Sequence, residues 1–242
     1  MKLLLISNST MAGETYLAWP RKRIAGFLGR HGVKEVCFVP YAGVNLSPEG
    51  PETSYDVYTQ RVAAVFQEMG ISVWSVHEAD DPAKAISEAQ AVVVGGGNTF
   101  HLVAEMQNTG VMTAIREKAL SGMPYVGWSA GSNVACPTLM TTNDMPIVEP
   151  ASFNTLGLIP FQINPHYLDA NPAGHGGETR QQRIEEFLAV NRDKTVVGLR
   201  EGCLLHLEGN DLQLVGNKSM RLFRFGEAPR ELQPGDDLAF LL

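Results

Sequence analysis

Cysteine is scarce in this chain. Cys37, Cys136 and Cys203 are the only three in 242 residues, far apart and without a C-x-x-C pair. That excludes a disulfide framework or a cysteine zinc site and fits a reducing cytoplasm. Long apolar runs are missing too. Leu3-Leu4-Leu5-Ile6 turns polar at Ser7, too soon for a signal-peptide core, and no segment approaches the roughly 18 apolar residues of a membrane helix. Without secretion, the glycosylation-like triplet Asn8-Ser9-Thr10 is an empty match. There is no basic run, and the net charge is −7. A binder of nucleic-acid backbone is therefore not expected. Cofactor signatures fail as well. After Gly95-Gly96-Gly97 the dinucleotide fingerprint would need glycine where Phe100 stands, and no G-K-[ST] follows. With no H-E-x-x-H and poorly spaced histidines, neither a metal nor a cofactor is expected.

What remains reads as a soluble globular chain, 44% hydrophobic and 19% charged, long enough for one large α/β domain spanning 1–242. Strand-like and helix-like segments alternate through the first half. Strands are expected at 3–6, 36–39, 71–76 and 91–94, and again just before Ser129. Helices are expected from Pro20, over 57–69 with a possible start near Ser54, and over 82–89, 100–106 and 111–120. Such interleaving implies a mostly parallel sheet covered on both faces, with ligands at the carboxyl ends of its strands. Beyond it, 143–172 has little periodicity. A helix is expected over 179–190, and short strands at 196–199, 204–207, 212–215 and 222–225 make the C-terminal part β-rich.

Gly127-Trp128-Ser129-Ala130-Gly131 has the form of a nucleophile elbow. A serine on a strained strand-to-helix turn needs glycines at i−2 and i+2, because a Cβ there would strike the adjoining strand or helix. The next N–H, on Ala130, would then face an oxyanion at a helix start. Gly95-Gly96-Gly97 is a second strand-end loop able to aim N–H groups at the same anion. A serine nucleophile needs a base and a group that orients it. His166 follows Asn164-Pro165 in the irregular region, and His101 opens a helix after the triple glycine. His31 and His77 look like surface residues, His206 looks structural, and His175 shares the irregular region with His166. Asp144 and Glu201 both adjoin turns after apolar runs, and chemistry alone does not separate them.

In order along the chain, Leu5-Ile6-Ser7-Asn8-Ser9-Thr10, Val94-Gly95-Gly96-Gly97-Asn98-Thr99-Phe100, the serine elbow, Thr141-Thr142-Asn143-Asp144-Met145-Pro146-Ile147-Val148, Gln162-Ile163-Asn164-Pro165-His166 and Gly177-Glu178-Thr179-Arg180 strongly resemble the peptidase E, or α-aspartyl dipeptidase, family of serine peptidases. The departures are a longer C-terminal tail and Ser132, where alanine is expected. The resemblance implies a flavodoxin-like or class I glutaminase-like three-layer α/β sandwich. It implies hydrolysis of Asp-Xaa dipeptides; the surface composition is compatible with both a monomer and a homodimer. It maps Ser129 to nucleophile and His166 to base, and it leaves the acid open between Asp144, slightly favoured, and Glu201. Gly96, Gly97 and Ala130 become the oxyanion-hole backbone. Arg180, whose guanidinium can grip an aspartate side chain in a fork, becomes the specificity residue, with Asn98 and Thr99 beside it for substrate. Rival readings are a cyanophycinase-like hydrolase and a non-catalytic binding module on the same fold.

Overall fold

The structure is a computed structural model; it describes residues 1–171, 174 and 176–242. Eleven strands lie among the described residues: β1 (Lys2–Ile6), β2 (Glu35–Val39), β3 (Ser72–Ser75), β4 (Val92–Val94), β5 (Tyr125–Trp128), β6 (Gln162–Tyr167), β7 (Thr195–Arg200), β8 (Cys203–Glu208), β9 (Asp211–Gly216), β10 (Met220–Arg224) and β11 (Arg230–Leu232). The helices are α1 (Arg21–Arg30), α2 (Pro51–Gln67), α3 (Pro82–Glu88), α4 (Thr99–Asn108), α5 (Val111–Leu120), α6 (Ala130–Asn133) and α7 (Arg180–Val190). The large sheet runs β3-β2-β4-β5-β1-β8-β9. Its first five strands are parallel and its last two antiparallel. The small sheet runs β11-β10-β7-β6.

Alternation along the strands builds the layers. Leu3 and Leu5 point into one core with Leu102, Met106 and Ile115 of α4 and α5. Leu4 and Ile6 point the other way, against Ile24 and Phe27 of α1 and Val62 and Phe66 of α2. Burial on both faces explains why these strands read as continuous apolar runs. The architecture is the expected three-layer α/β sandwich with a mostly parallel sheet and a β-rich C-terminal part. One face of the small sheet, with Ile163, Val197 and Leu199, joins the core of Leu3 and Leu5. The other packs Tyr167, Val196 and Phe223 on Ile184 and Leu188 of α7.

Three elements depart from the sequence reading. Helix α2 begins at Pro51, with proline in the first turn where its missing N–H costs nothing. Strand β6 lies inside the stretch read as irregular. Asn164 and Pro165 break its apolar pattern, and proline is accepted because β6 is an edge strand, paired only with β7. Strand β11 is short and charged and carries no apolar signal.

Candidate active site

Three strands of the large sheet deliver their carboxyl ends to one place: β1 leads into Ser7 and Asn8, β4 into the Gly95–Gly97 loop, and β5 into Ser129. Ser129 has φ 54° and ψ −113°, a conformation foreign to most non-glycine residues, costing about 1–3 kcal/mol. Its glycine neighbours are sterically required. A Cβ on Gly127 would lie 2.3 Å from the Gly131 carbonyl oxygen, and one on Gly131 would lie 2.2 Å from that of Val94. The Ser129 N–H is held by the Ile6 carbonyl at 2.9 Å. Ser132, one turn on, places its hydroxyl within hydrogen-bond distance of the Ile6 and Gly127 carbonyls, so this departure from the expected alanine adds a tie beneath the elbow.

The small sheet supplies the partners. His166 sits at an irregularity in the β6–β7 register with φ 54°, which re-aims its ring as a bulge does. Its Nε2 is 2.9 Å from Ser129 Oγ, and its Nδ1 is 2.7 Å from Glu201 Oε1. Glu201 stands in the β7–β8 turn beside Gly202, whose φ of 81° suits glycine. The side chains of His166 and Glu201 are 37% and 39% exposed, so solvent reaches this pair.

Asp144 is elsewhere. Its Oδ2 accepts from the Thr99 N–H at 2.8 Å, the Thr99 hydroxyl at 2.6 Å and the Thr142 hydroxyl at 3.0 Å. The acid on the far nitrogen of His166 is Glu201 and not the slightly favoured Asp144. Sequence could not decide this, because it depends on where two distant turns fold relative to β6. The Thr141–Asp144 segment is pinned to β6 by hydrogen bonds from Thr141 to the Ile163 carbonyl and from Asn143 to the Pro165 carbonyl.

Two cavities meet at Ser129 and His166. The first, about 350 Å³, is polar and holds Thr99, Ala130, Asp144 and Arg180. Arg180 is half-buried there. Burial lowers its pKa, Arg183 adds to that, and Asp144 opposes it. The second, about 470 Å³, is walled by Tyr16, Tyr58, Trp128 and Leu46, with Arg61 at its rim. Each volume falls within the roughly 300–1,000 Å³ of small-molecule sites. Thr99 lines the first cavity with its hydroxyl committed to Asp144. Asn98 lines the second, yet both its polar side-chain atoms are engaged: Oδ1 caps α4 by accepting from the His101 N–H, and Nδ2 donates to the Met145 carbonyl. It holds the loop together, and the second N–H of its amide is the donor left toward the cavity.

The N–H groups of Gly96, Gly97 and Ala130 find no acceptor among the described residues. Gly96 must lack a side chain, since a Cβ would lie 2.8 Å from that of Ser129. Gly97, at φ 140°, presses against Ala42, where a Cβ would meet the carbonyl oxygen at 2.1 Å. The Tyr58 hydroxyl steadies this loop by donating to the Gly96 carbonyl at 2.9 Å while accepting from the Trp128 indole N–H at 3.1 Å. Burial raises the Tyr58 pKa, so the phenol remains a donor.

Other expectations resolve differently. His101 is tied to the Tyr41 carbonyl at 2.8 Å and lines neither cavity. His31 and His77, read as surface residues, keep only 9% and 8% of their side chains exposed. His175 lies outside the described residues. Asp56, His77 and Glu78 are close enough to share a metal ion, and none of them lines either cavity. The sequence reading passed over Ser7, Asn8, Tyr16, Tyr58 and Arg61. Ser7 Oγ accepts from the His166 N–H at 3.0 Å and donates to the Leu199 carbonyl at 2.7 Å. Asn8 Oδ1 accepts from the Gly202 N–H at 2.9 Å. The signal available was their place, polar residues immediately after the first buried strand.

A three-layer sandwich whose strained strand-end serine is hydrogen-bonded to a histidine, itself bonded to a glutamate, fits a protein of the class I glutaminase-like fold. Solved structures agree on the fold. A putative peptidase E protein from Listeria monocytogenes EGD-e superposes with a TM-score of 0.66 at 20% identity, over 90% of this chain and 98% of that one. A peptidase from an acI-B1 Actinobacterium gives 0.70 at 18%, over 97% and 95%. Sequence carries the assignment further: the model of peptidase family S51 matches residues 3–215. Peptidase E of Nostoc sp. is 50% identical over 100% of this chain and 96% of its own length, and peptidase E of Citrobacter koseri is 44% identical over 97% and 99%. The chain belongs to peptidase family S51 and is a peptidase. Among the described residues, no helix is long and apolar enough to cross a membrane.

Proposed function

We propose that this peptidase is a serine hydrolase that cleaves dipeptides with an N-terminal aspartate, through an acyl-enzyme on Ser129. The observation that carries the reading is the hydrogen-bonded chain Ser129 Oγ, His166 Nε2, His166 Nδ1 and Glu201. His166 Nε2 takes the hydroxyl proton as Oγ bonds to the scissile carbonyl carbon. Negative charge develops on the carbonyl oxygen, and the free N–H groups of Gly96 or Gly97 and of Ala130 are the donors for it. The carbon–nitrogen bond then breaks, and Nε2 returns its proton to the leaving amine. Water repeats the cycle to release aspartate. Glu201 fixes the Nδ1–H tautomer and stabilises the imidazolium.

The polar cavity supports the substrate assignment. Arg180 suits the aspartate β-carboxylate, because its guanidinium presents a fork of donors. Asp144 Oδ1, which makes no protein hydrogen bond among the described residues, suits the free α-ammonium. A half-buried cation left unpaired disfavours substrates that lack the carboxylate.

The test is cleavage of Asp-Leu, Ala-Leu, a β-aspartyl dipeptide and cyanophycin, with Ser129→Ala as control. The expected result is cleavage of Asp-Leu alone, abolished in Ser129→Ala, with the preference over Ala-Leu collapsing in Arg180→Ala. Unchanged preference in Arg180→Ala removes that residue from the assignment. Cleavage of cyanophycin in place of Asp-Leu moves the enzyme to the cyanophycinase-like reading, and no cleavage of any substrate favours a binding module.

A further inference from the structure

The aromatic cavity on the other side of Ser129 has no role in holding aspartate, yet an exposed cation, Arg61, stands at its rim. Arg61 follows Tyr58 by three residues on α2, on the same helix face. Its guanidinium carbon lies 5.8 Å from the centre of the Tyr16 ring. Arg21, Arg183, Arg200 and Arg221 each pair with a carboxylate. Arg61 has no such partner among the described residues, and no acidic residue lines the cavity it borders. The walls below it are apolar, formed by the rings of Tyr16, Tyr58 and Trp128 and by Leu46. Both tyrosine hydroxyls are already used, Tyr16 bonding to Tyr58 at 3.1 Å and Tyr58 to the Gly96 carbonyl. The cavity therefore offers apolar contact and one unpaired positive charge.

We propose that this cavity is the subsite for the residue that leaves, and that Arg61 binds its free C-terminal carboxylate. The proposal rests on the reading that Ser129 attacks the carbonyl of an N-terminal aspartate. With that carbonyl at Ser129 and the aspartate in the polar cavity, the leaving amine faces the aromatic one across His166, which lines both. Charges match group by group. Asp-Xaa carries two carboxylates and one ammonium, and the two cavities carry Arg180, Arg61 and Asp144. The subsite thus favours an apolar second residue with nothing after it, and it limits the substrate to two residues. Its carboxylate is bound equally in the ground and transition states, so its loss acts on KM more than on kcat.

The experiment compares kcat/KM for Asp-Leu and Asp-Leu amide in the wild type, Arg61→Ala, Arg61→Gln and Arg61→Lys. The wild type is expected to prefer the free acid by about ten-fold, the scale of one charge-assisted contact at a solvent-reached site. In Arg61→Ala and Arg61→Gln the ratio falls toward one, chiefly through KM for Asp-Leu, and Arg61→Lys restores part of it. Equal wild-type rates on acid and amide overturn the subsite while leaving aspartyl dipeptidase activity standing. So does a ratio that survives in Arg61→Ala. Failure of the wild type to cleave either compound above Ser129→Ala overturns the functional reading, and the subsite with it.

Discussion

Exchanging one oxygen of Glu201 for nitrogen, Glu201→Gln, tests which acid serves His166. The substitution keeps the shape of the side chain and removes its charge. In the transition state the imidazole carries a positive charge, which Glu201 Oε1 faces at 2.7 Å from Nδ1. Two unit charges about 4 Å apart attract by about 1 kcal/mol in bulk water and about 4 kcal/mol near a protein surface. Glu201 and His166 are each more than a third exposed, which places the loss between these bounds, at about 2–3 kcal/mol. The loss of charge alone corresponds to a fall in kcat of roughly 30- to 150-fold, and the new amide, by donating to Nδ1 and selecting the opposite tautomer, carries the fall toward the roughly 10⁴ known for a triad aspartate changed to asparagine. Asp144→Asn makes the comparison. Its oxygen can still accept from Thr99 and Thr142, so the fold stays intact while the charge beside Arg180 disappears. The expected effect is a several-fold rise in KM with little change in kcat. Steady-state kinetics on Asp-Leu, with thermal melts as a folding control, decide between them. A Glu201→Gln enzyme within about three-fold of wild-type kcat, beside an Asp144→Asn enzyme reduced a hundred-fold, would refute the assignment.

Gly131→Ala should destabilise the protein by about 3 kcal/mol or more, since its Cβ would lie 2.2 Å from the backbone oxygen of Val94 and backbone cannot yield as a side chain can; urea unfolding that matches wild type would contradict this. Acid stability provides a separate check. Burial lowers the pKa values of His31 and His206, with Lys2 and Arg30 adding to the effect and Glu208 opposing it; both rings pack edge-on against Phe27. The folded state holds them neutral while the unfolded chain protonates near the ordinary value of about 6.5. Their contribution is therefore complete above about pH 6.5 and is lost as pH falls through the lower folded values. Chemical denaturation at pH 7.5 and 5.5 should show a smaller pH-dependent loss in His206→Gln than in wild type, and equal losses would exclude the mechanism.

The large sheet was legible because its parallel strands β1, β2, β4 and β5 are buried on both faces and write apolar runs into the sequence. The elbow was legible for a steric reason: Gly127 and Gly131 have no alternative residue at those backbone contacts. The base was harder. His166 lies on a strand whose Asn164-Pro165 disguises it, and its positive φ has no sequence signature in a histidine. The acid was not legible at all. Asp144 and Glu201 look alike as turn carboxylates, and the difference between them is a tertiary distance. Asn8 carried no role in the sequence for a related cause: in the fold its amide oxygen holds the backbone of Gly202 beside Glu201, a contact between residues 194 positions apart.

The two halves of the proposed reacting pair come from different sheets, and that sets the central structural problem of this site. Ser129 ends β5 of the large sheet, and His166 ends β6 of the small one. A drift of one sheet by 1 Å would break the 2.9 Å contact between them, and misplacement on that scale can cost about 10²-fold in rate. Both residues also adopt positive φ, so neither keeps its aim by local preference. The first strand resolves this. At its end the Ile6 carbonyl accepts from the Ser129 N–H. One residue later, the Ser7 hydroxyl accepts from the His166 N–H and donates to β7. Ser129 and His166 are thus referenced to adjacent peptide units of one buried strand. The strain at each is tolerated because β1, fully packed on both faces, supplies the fixed frame against which both are held.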